Sequence, residues 1–238
     1  MNIAGFQKLT LLDYPNKTSC TIFTSGCNLN CPFCHNACLI KTNTNKFDES
    51  EIYRFLEKRI GLLDGVCITG GEPTIQNDLY TFIKGIKELG FLVKLDTNGT
   101  NPTVVENLVE NNLIDYIAMD VKNTLGKYNI TCGSNNVNTD NIKRSIDFII
   151  NAGIDYEFRT TVLKDYHTEA DMERLSETLS GCKAYYLQKF IKSDRVNDDR
   201  CQELSDEELI NYLKIVRVNI PNAELRGVDY DSTTLQLR

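Results

Sequence analysis

The chain has 238 residues, 41% of them hydrophobic and 25% charged, a profile that suits one compact domain with a sizeable core. A formal net charge of -7 and an isoelectric point near 5.0 argue against a nucleic-acid-binding surface, and no basic stripe is present. The opening MNIAGFQKLTLLDYP lacks the charged head and apolar core of a secretion signal, and no apolar run is long enough to span a bilayer, so a cytoplasmic protein without a membrane partner is expected.

Six short runs rich in β-branched or aromatic residues read as strands, each followed by a helical pattern. In chain order they are SCTIFT from Ser19, GVCIT from Gly65, FLVKLD from Phe91, YIAMD from Tyr116, YEFRTTV from Tyr156 and AYYLQKF from Ala184. Helices are predicted over Ser50 to Arg59, Asp78 to Leu89, Thr103 to Asn111, Asn141 to Ala152, Glu169 to Leu179 and Asp206 to Arg217. Asp48 with Glu51, and Ser205 with Glu208, have the spacing of reciprocal helix caps. The Asn-rich stretch TCGSNNVNTDN reads as an exposed loop. The tail from Pro221 offers either a last strand or a docking segment.

Strand alternating with helix implies parallel strands joined by right-handed crossovers. Six units fall short of the eight of a closed barrel. The expected class is therefore α/β with a partial, open (β/α)6 barrel, and a doubly wound sheet is the competitor. One domain spans residues 1–238, with a core of about 17–192 and an extension over about 193–238. In either architecture ligands gather at the carboxyl ends of the strands.

Those ends carry the chemistry. The first strand runs into CNLNCPFCHN, where Cys27, Cys31 and Cys34 are spaced CxxxCxxC and Cys38 follows. Nine cysteines without a secretion signal point to a reducing compartment, where clustered thiols serve metals or catalysis. On the cysteines alone, a zinc site, a CPFC redox pair and an iron–sulfur cluster all remain open. Cys20, Cys67, Cys132, Cys182 and Cys201 are scattered and read as small core hydrophobes or spare thiols. The second strand ends in TGGEPT, the third in DTNGT and the fourth in DVK, while the fifth carries Arg159 and the sixth Gln188. Local alternatives exist for several of these. Asp96 fits a side chain bonding its own turn, Asp120 with Lys122 fits a surface pair, and His167 fits a loop or helix-entry residue.

CxxxCxxC followed by GGEP resembles the radical SAM superfamily, in which three cysteines hold a 4Fe-4S cluster and S-adenosylmethionine binds the fourth iron. LLDYPNK at Leu11, KLDTNGT at Lys94, AMDVK at Ala118 and EFRTTV at Glu157 extend the likeness to the glycyl-radical-enzyme activases. Within that group the chain is most similar to the longer form of the anaerobic ribonucleoside-triphosphate reductase activating proteins, with the pyruvate formate-lyase activating enzymes near relatives. The resemblance implies cluster ligation by Cys27, Cys31 and Cys34, with Cys38 outside the ligand set. It also implies cofactor contacts from Phe33, His35, Gly70, Gly71, Glu72, Thr97, Asp120, Lys122 and Arg159. Asp96, Thr97, Ala118 through its carbonyl, and Asp120 match positions that hold a monovalent cation in a relative. Asp13 falls where the activases place an acidic residue near the partner's glycine loop. Phe190 departs from the pattern, standing where the relative has a histidine near the ribose, and Gln188 is the candidate to supply that contact.

The activity so implied is reductive cleavage of S-adenosylmethionine to a 5'-deoxyadenosyl radical, which generates a glycyl radical on a partner enzyme. The implied partners are a glycyl-radical enzyme, anaerobic ribonucleotide reductase foremost, and a flavodoxin or ferredoxin reductant. Two rivals remain: a radical SAM enzyme acting on a small molecule, such as a 7-carboxy-7-deazaguanine synthase, and a zinc-stabilised α/β binding module. The stretch between Cys38 and Gly65 has no cysteine-rich insert, so an accessory ferredoxin-like domain is not expected.

Overall fold

A computed structural model describes residues 1–40 and 46–230. Its strands form one eight-stranded sheet in strict sequence order. They are β1 (Ile3–Thr10), β2 (Ser19–Thr24), β3 (Gly65–Gly70), β4 (Leu92–Thr97), β5 (Tyr116–Asp120), β6 (Asp155–Val162), β7 (Tyr185–Lys189) and β8 (Glu224–Arg226). β1 pairs antiparallel with β2, and every later pairing is parallel. A doubly wound sheet would reverse its strand order at a switch point. This one never reverses, and among the described residues β1 and β8 stay unpaired with each other, which makes it an open barrel.

The six expected strands are present as β2 to β7, and two more flank them. β1, IAGFQKLT, is rich in residues with weak strand preference and lies at the sheet edge, so its pattern alone did not mark it. β8 lies in the tail, where a final strand was one of two expectations.

The crossovers carry α1 (Glu49–Glu57), α2 (Leu79–Glu88), α3 (Pro102–Glu110), α4 (Tyr128–Thr131), α5 (Thr139–Asn151), α6 (Glu169–Thr178) and α7 (Asp206–Val216). The Ser205 and Glu208 cap forms as expected. The Asp48 side chain makes no cap bond, so the first helix start is carried by backbone alone. A reciprocal cap missed in the sequence joins Thr168 and Asp171. The Asn-rich stretch is also more than an exposed loop: Thr131 and Cys132 are fully buried, and Asn138 caps α5.

Strand side chains alternate between two faces. Ile22, Ile68, Leu95, Ile117 and Phe158 belong to the apolar core. The alternate positions fall in register as a polar inner face: Cys67, Lys94 and Tyr116 in one layer, Asp96, Ala118 and Glu157 in the next, then Asp120 and Arg159. No helix among the described residues is long and apolar enough to cross a membrane.

Candidate cofactor and active site

A cavity of about 300 Å³ lies at the carboxyl ends of the strands, a size suited to a small organic ligand. Cys27, Cys31 and Cys34 line it from the loop after β2, together with Phe33 and His35. Segments far apart in sequence hold this loop. Gly26 N donates to Leu39 O at 2.7 Å and Cys27 N to Ile40 O at 3.2 Å. Asn30 N donates to Cys132 O at 3.1 Å. From beyond residue 192, Asn197 N donates to Cys34 O at 3.1 Å, Asp198 N to Pro32 O at 2.8 Å and Asn197 Nδ2 to Cys31 O at 3.2 Å. Cys38 is exposed and does not line the cavity.

The three thiols are electrostatically distinct. Burial pushes Cys27 up to about 12 and also raises Cys34. Cys31 is lowered, chiefly by a hydrogen bond from the Cys132 thiol and then by the Lys122 charge, while Cys132 itself is raised. Cys132 therefore touches the cluster loop; its isolated place in the sequence gave no sign of that.

Gly70 and Gly71 line the cavity beside this loop. Gly70 has φ +112, and a Cβ there would lie 2.4 Å from Thr24 N. A Cβ on Gly71 would lie 2.0 Å from Gly26 O. The glycines are thus required by the close approach of two backbones, sealed by Gly71 N to Thr24 O at 2.9 Å and Glu72 N to Gly26 O at 2.8 Å. The Glu72 side chain, 1% exposed, turns to the next motif. Its Oε1 accepts from Thr74 N at 3.1 Å, Thr74 Oγ1 at 2.6 Å and Thr97 Oγ1 at 2.7 Å, and its Oε2 from Asn98 N at 2.7 Å. Burial raises its pKa, opposed by these donors. Glu72 thereby ties the GGEP and DTNG segments together.

The opposite wall is ionic. Asp96 does not bond its own turn; Asn98 does, accepting from Thr100 N at 3.0 Å. Asp96 instead accepts from Lys94 at Oδ1 and lies 3.3 Å from Arg159 at Oδ2. Arg159 Nε donates to Asp120 at 2.9 Å, and Lys122 Nζ donates to the other Asp120 oxygen at 3.1 Å. Asp120 and Lys122 are therefore part of a cavity network, not a free surface pair. Burial raises both carboxyls, but Arg159 with Lys94 outweighs it at Asp96, and Arg159 with Lys122 brings Asp120 to about 2. Arg159 also lies 3.8 Å from Glu157, which Arg226 binds, so Lys94, Lys122, Arg159 and Arg226 face Asp96, Asp120 and Glu157 with one cation in excess where a ligand carboxylate can dock.

Gln188 lines the cavity. Phe190 is buried against His35, their rings 5.3 Å apart, and His35 Nε2 lies 2.7 Å from Ile191 O. Phe33 packs near Tyr166, with Lys122 Nζ 6.0 Å from its ring centre. Ala118 is buried in register with Asp96 and does not line the cavity. Asp13 stands apart from the set. It lies between β1 and β2, at the sheet end remote from the cysteines, and accepts from Thr21 Oγ1. His167, in the loop before α6, is 2% exposed and joins Lys122 O at 2.9 Å through Nε2. It steadies the backbone that carries Lys122, a role invisible in a lone histidine 45 residues away.

Three thiols on one cavity, glycines that leave no room for a Cβ, an aromatic ring and a net positive wall form a donor set that fits an iron–sulfur cluster and a zwitterionic sulfonium ligand. The sequence model of the Radical SAM superfamily matches residues 21–179. A Methanocaldococcus jannaschii protein provisionally described as a glycyl-radical enzyme activating enzyme is 34% identical over 233 residues, 95% of this chain and 96% of its own length. A 7-carboxy-7-deazaguanine synthase of Thermoplasma acidophilum is 35% identical over 104 residues, 42% of this chain and 44% of that one. In fold, a domain of the pyruvate-formate lyase-activating enzyme from Bacteroides vulgatus superposes with a TM-score of 0.56 at 19% identity, covering 68% of this chain and 99% of that one. The chain belongs to the radical SAM superfamily, whose members use a 4Fe-4S cluster and S-adenosylmethionine, and within it to the glycyl-radical enzyme activating enzymes.

Proposed function

We propose that this enzyme generates a glycyl radical on anaerobic ribonucleoside-triphosphate reductase in the cytoplasm, with a flavodoxin or ferredoxin as reductant. The observation that carries the activase reading is the contrast in coverage: likeness to an activating enzyme runs through 95% of the chain, whereas likeness to the deazaguanine synthase stops at 42%. The LLDYP, DTNG and DVK motifs favour an activase over a synthase, and the ribonucleotide reductase target rests on the resemblance to that subgroup of activases.

When bound, the cluster and S-adenosylmethionine supply one-electron transfer and radical formation. Cys27, Cys31 and Cys34 would hold the cluster, and among the described residues no fourth thiol lines the cavity, so one metal position would be left for substrate. Gly70, Gly71 and Glu72 would line the amino end of the methionine, and Arg159 and Lys122 would take its carboxylate. Phe33, His35 and Gln188, all on the cavity lining, would face the nucleoside end. Thr97 acts through Glu72, to which it donates. Among the described residues β1 and β8 do not pair, which leaves the barrel open for a peptide loop. Asp13 is the candidate contact for that loop from below.

The test is anaerobic. Reconstituted protein, reductant and S-adenosylmethionine are mixed with the reductase, and electron paramagnetic resonance is recorded. A glycine-centred doublet on the reductase, with 5'-deoxyadenosine formed in proportion, is expected. 5'-Deoxyadenosine without any radical on the reductase would reject this target, and its absence altogether would reject the activity.

A further inference from the structure

Lys94 belongs to the ionic wall yet does not line the cavity. It stands two residues before Asp96 on the inner face of β4, one layer deeper, and its side chain rises to Asp96 Oδ1. The side chain is 2% exposed. Its other neighbours are Cys67 Sγ at 3.8 Å and the Tyr116 ring, 5.9 Å to the centre. A carboxylate, a soft sulfur acceptor and the negative face of an aromatic ring make a cage for one small desolvated cation. Burying an ammonium costs several kcal/mol unless it is paired, so its position is set by Asp96.

The pairing changes what Arg159 must do. Arg159 donates Nε to Asp120 at 2.9 Å and reaches Asp96 Oδ2 at 3.3 Å, while Lys94 holds the other Asp96 oxygen. Without Lys94 the wall would have Lys122, Arg159 and Arg226 for Asp96, Asp120 and Glu157, and no surplus charge for a ligand carboxylate. An ammonium is close to potassium in charge and size.

We propose that the Lys94 ammonium is a built-in cation for Asp96, so that the S-adenosylmethionine carboxylate docks beside Arg159 and Lys122 without a monovalent metal ion from solution. This rests on the assignment of Arg159 and Lys122 to that carboxylate. Lys94 is a positioning residue, acting through Asp96. The expected use of Asp96, Thr97, Ala118 and Asp120 to hold a solution cation is thereby replaced by a side chain of the same strand.

The experiment is equilibrium dialysis of labelled S-adenosylmethionine against anaerobically reconstituted enzyme, without reductant, in potassium, sodium or choline chloride at one ionic strength. The wild-type Kd is expected to agree within about threefold across the three salts. Lys94→Met is expected to bind about tenfold more weakly in choline, the loss of roughly one charged contact, and to recover in potassium. Lys94→Arg is expected to remain insensitive to the salt. A wild-type Kd that weakens more than about tenfold in choline overturns the proposal while leaving the site assignment standing, and needs no variant to fold. A Lys94→Met enzyme that binds as wild type in choline overturns it equally. Absence of binding in every salt would overturn the site assignment and this inference with it.

Discussion

Replacing Glu72 with Gln isolates the tie between the GGEP and DTNG segments, because the two side chains have the same shape. Four donors converge on the buried carboxylate, three on Oε1 and one on Oε2. An amide keeps one acceptor oxygen. Its better orientation places that oxygen toward Thr74 and Thr97 and turns the NH2 group against Asn98 N, leaving a buried donor without a partner. That orphan costs about 1–3 kcal/mol, and the three remaining bonds lose their charge assistance, so about 3 kcal/mol in all is expected. For a chain of this length each kcal/mol lowers Tm by roughly 2–4 °C, giving a fall of about 6–12 °C. Thermal unfolding of cluster-free protein followed by circular dichroism measures it, and Glu72→Ala, which strands all four donors, should fall further. A Glu72→Gln protein melting within about 1 °C of wild type would refute the tie, since such a change is typical of an inconsequential surface substitution.

Two further outcomes are expected. Alanine at Cys27, Cys31 or Cys34 abolishes the iron content of reconstituted protein, whereas Cys38→Ser retains it; metal and sulfide analysis decides, and zinc without iron would restore the structural-metal reading. The buried His167 has its pKa lowered, chiefly by burial, and its Nδ1 accepts from Leu163 N at 3.2 Å, so the neutral ring is the native form. A depressed folded pKa means that its contribution is intact above the unfolded value of about 6.5 and is lost as pH falls below it, with a slope of at most about 1.4 kcal/mol per unit. Denaturation curves between about pH 5 and 7.5 should show this decline, and His167→Gln should flatten it.

The sheet was legible because parallel strands buried on both faces read as short apolar runs, and GVCIT and YIAMD are of that kind. The chemistry at their ends was legible because each motif directly follows a strand, which is why the cysteines, glycines, Asp120, Lys122, Arg159 and Gln188 meet at one cavity. What remained hidden depends on tertiary distance. Nothing local marks Cys132 as the neighbour of Cys31, or His167 as the support of Lys122. Lys94 is polar in the middle of a strand, a position at odds with the apolar pattern, and that conflict was the available signal for a buried ion pair. Glu72 shows the opposite limit: its motif is conspicuous, yet the partners of its carboxylate, Thr97 and Asn98, are more than twenty residues away.

The clasp on the cysteine loop bears on when the enzyme can be matured. Asn197 and Asp198 bind the backbone of Cys31, Pro32 and Cys34, so the loop lacks part of its frame until those residues have left the ribosome. A chain ending near residue 190 would have the parallel strands β2 to β7 and all three thiols, but its cysteine loop would be held only by Leu39, Ile40 and Cys132. The cysteine loop therefore gains its full backbone frame only when the segment beyond β7 has joined it.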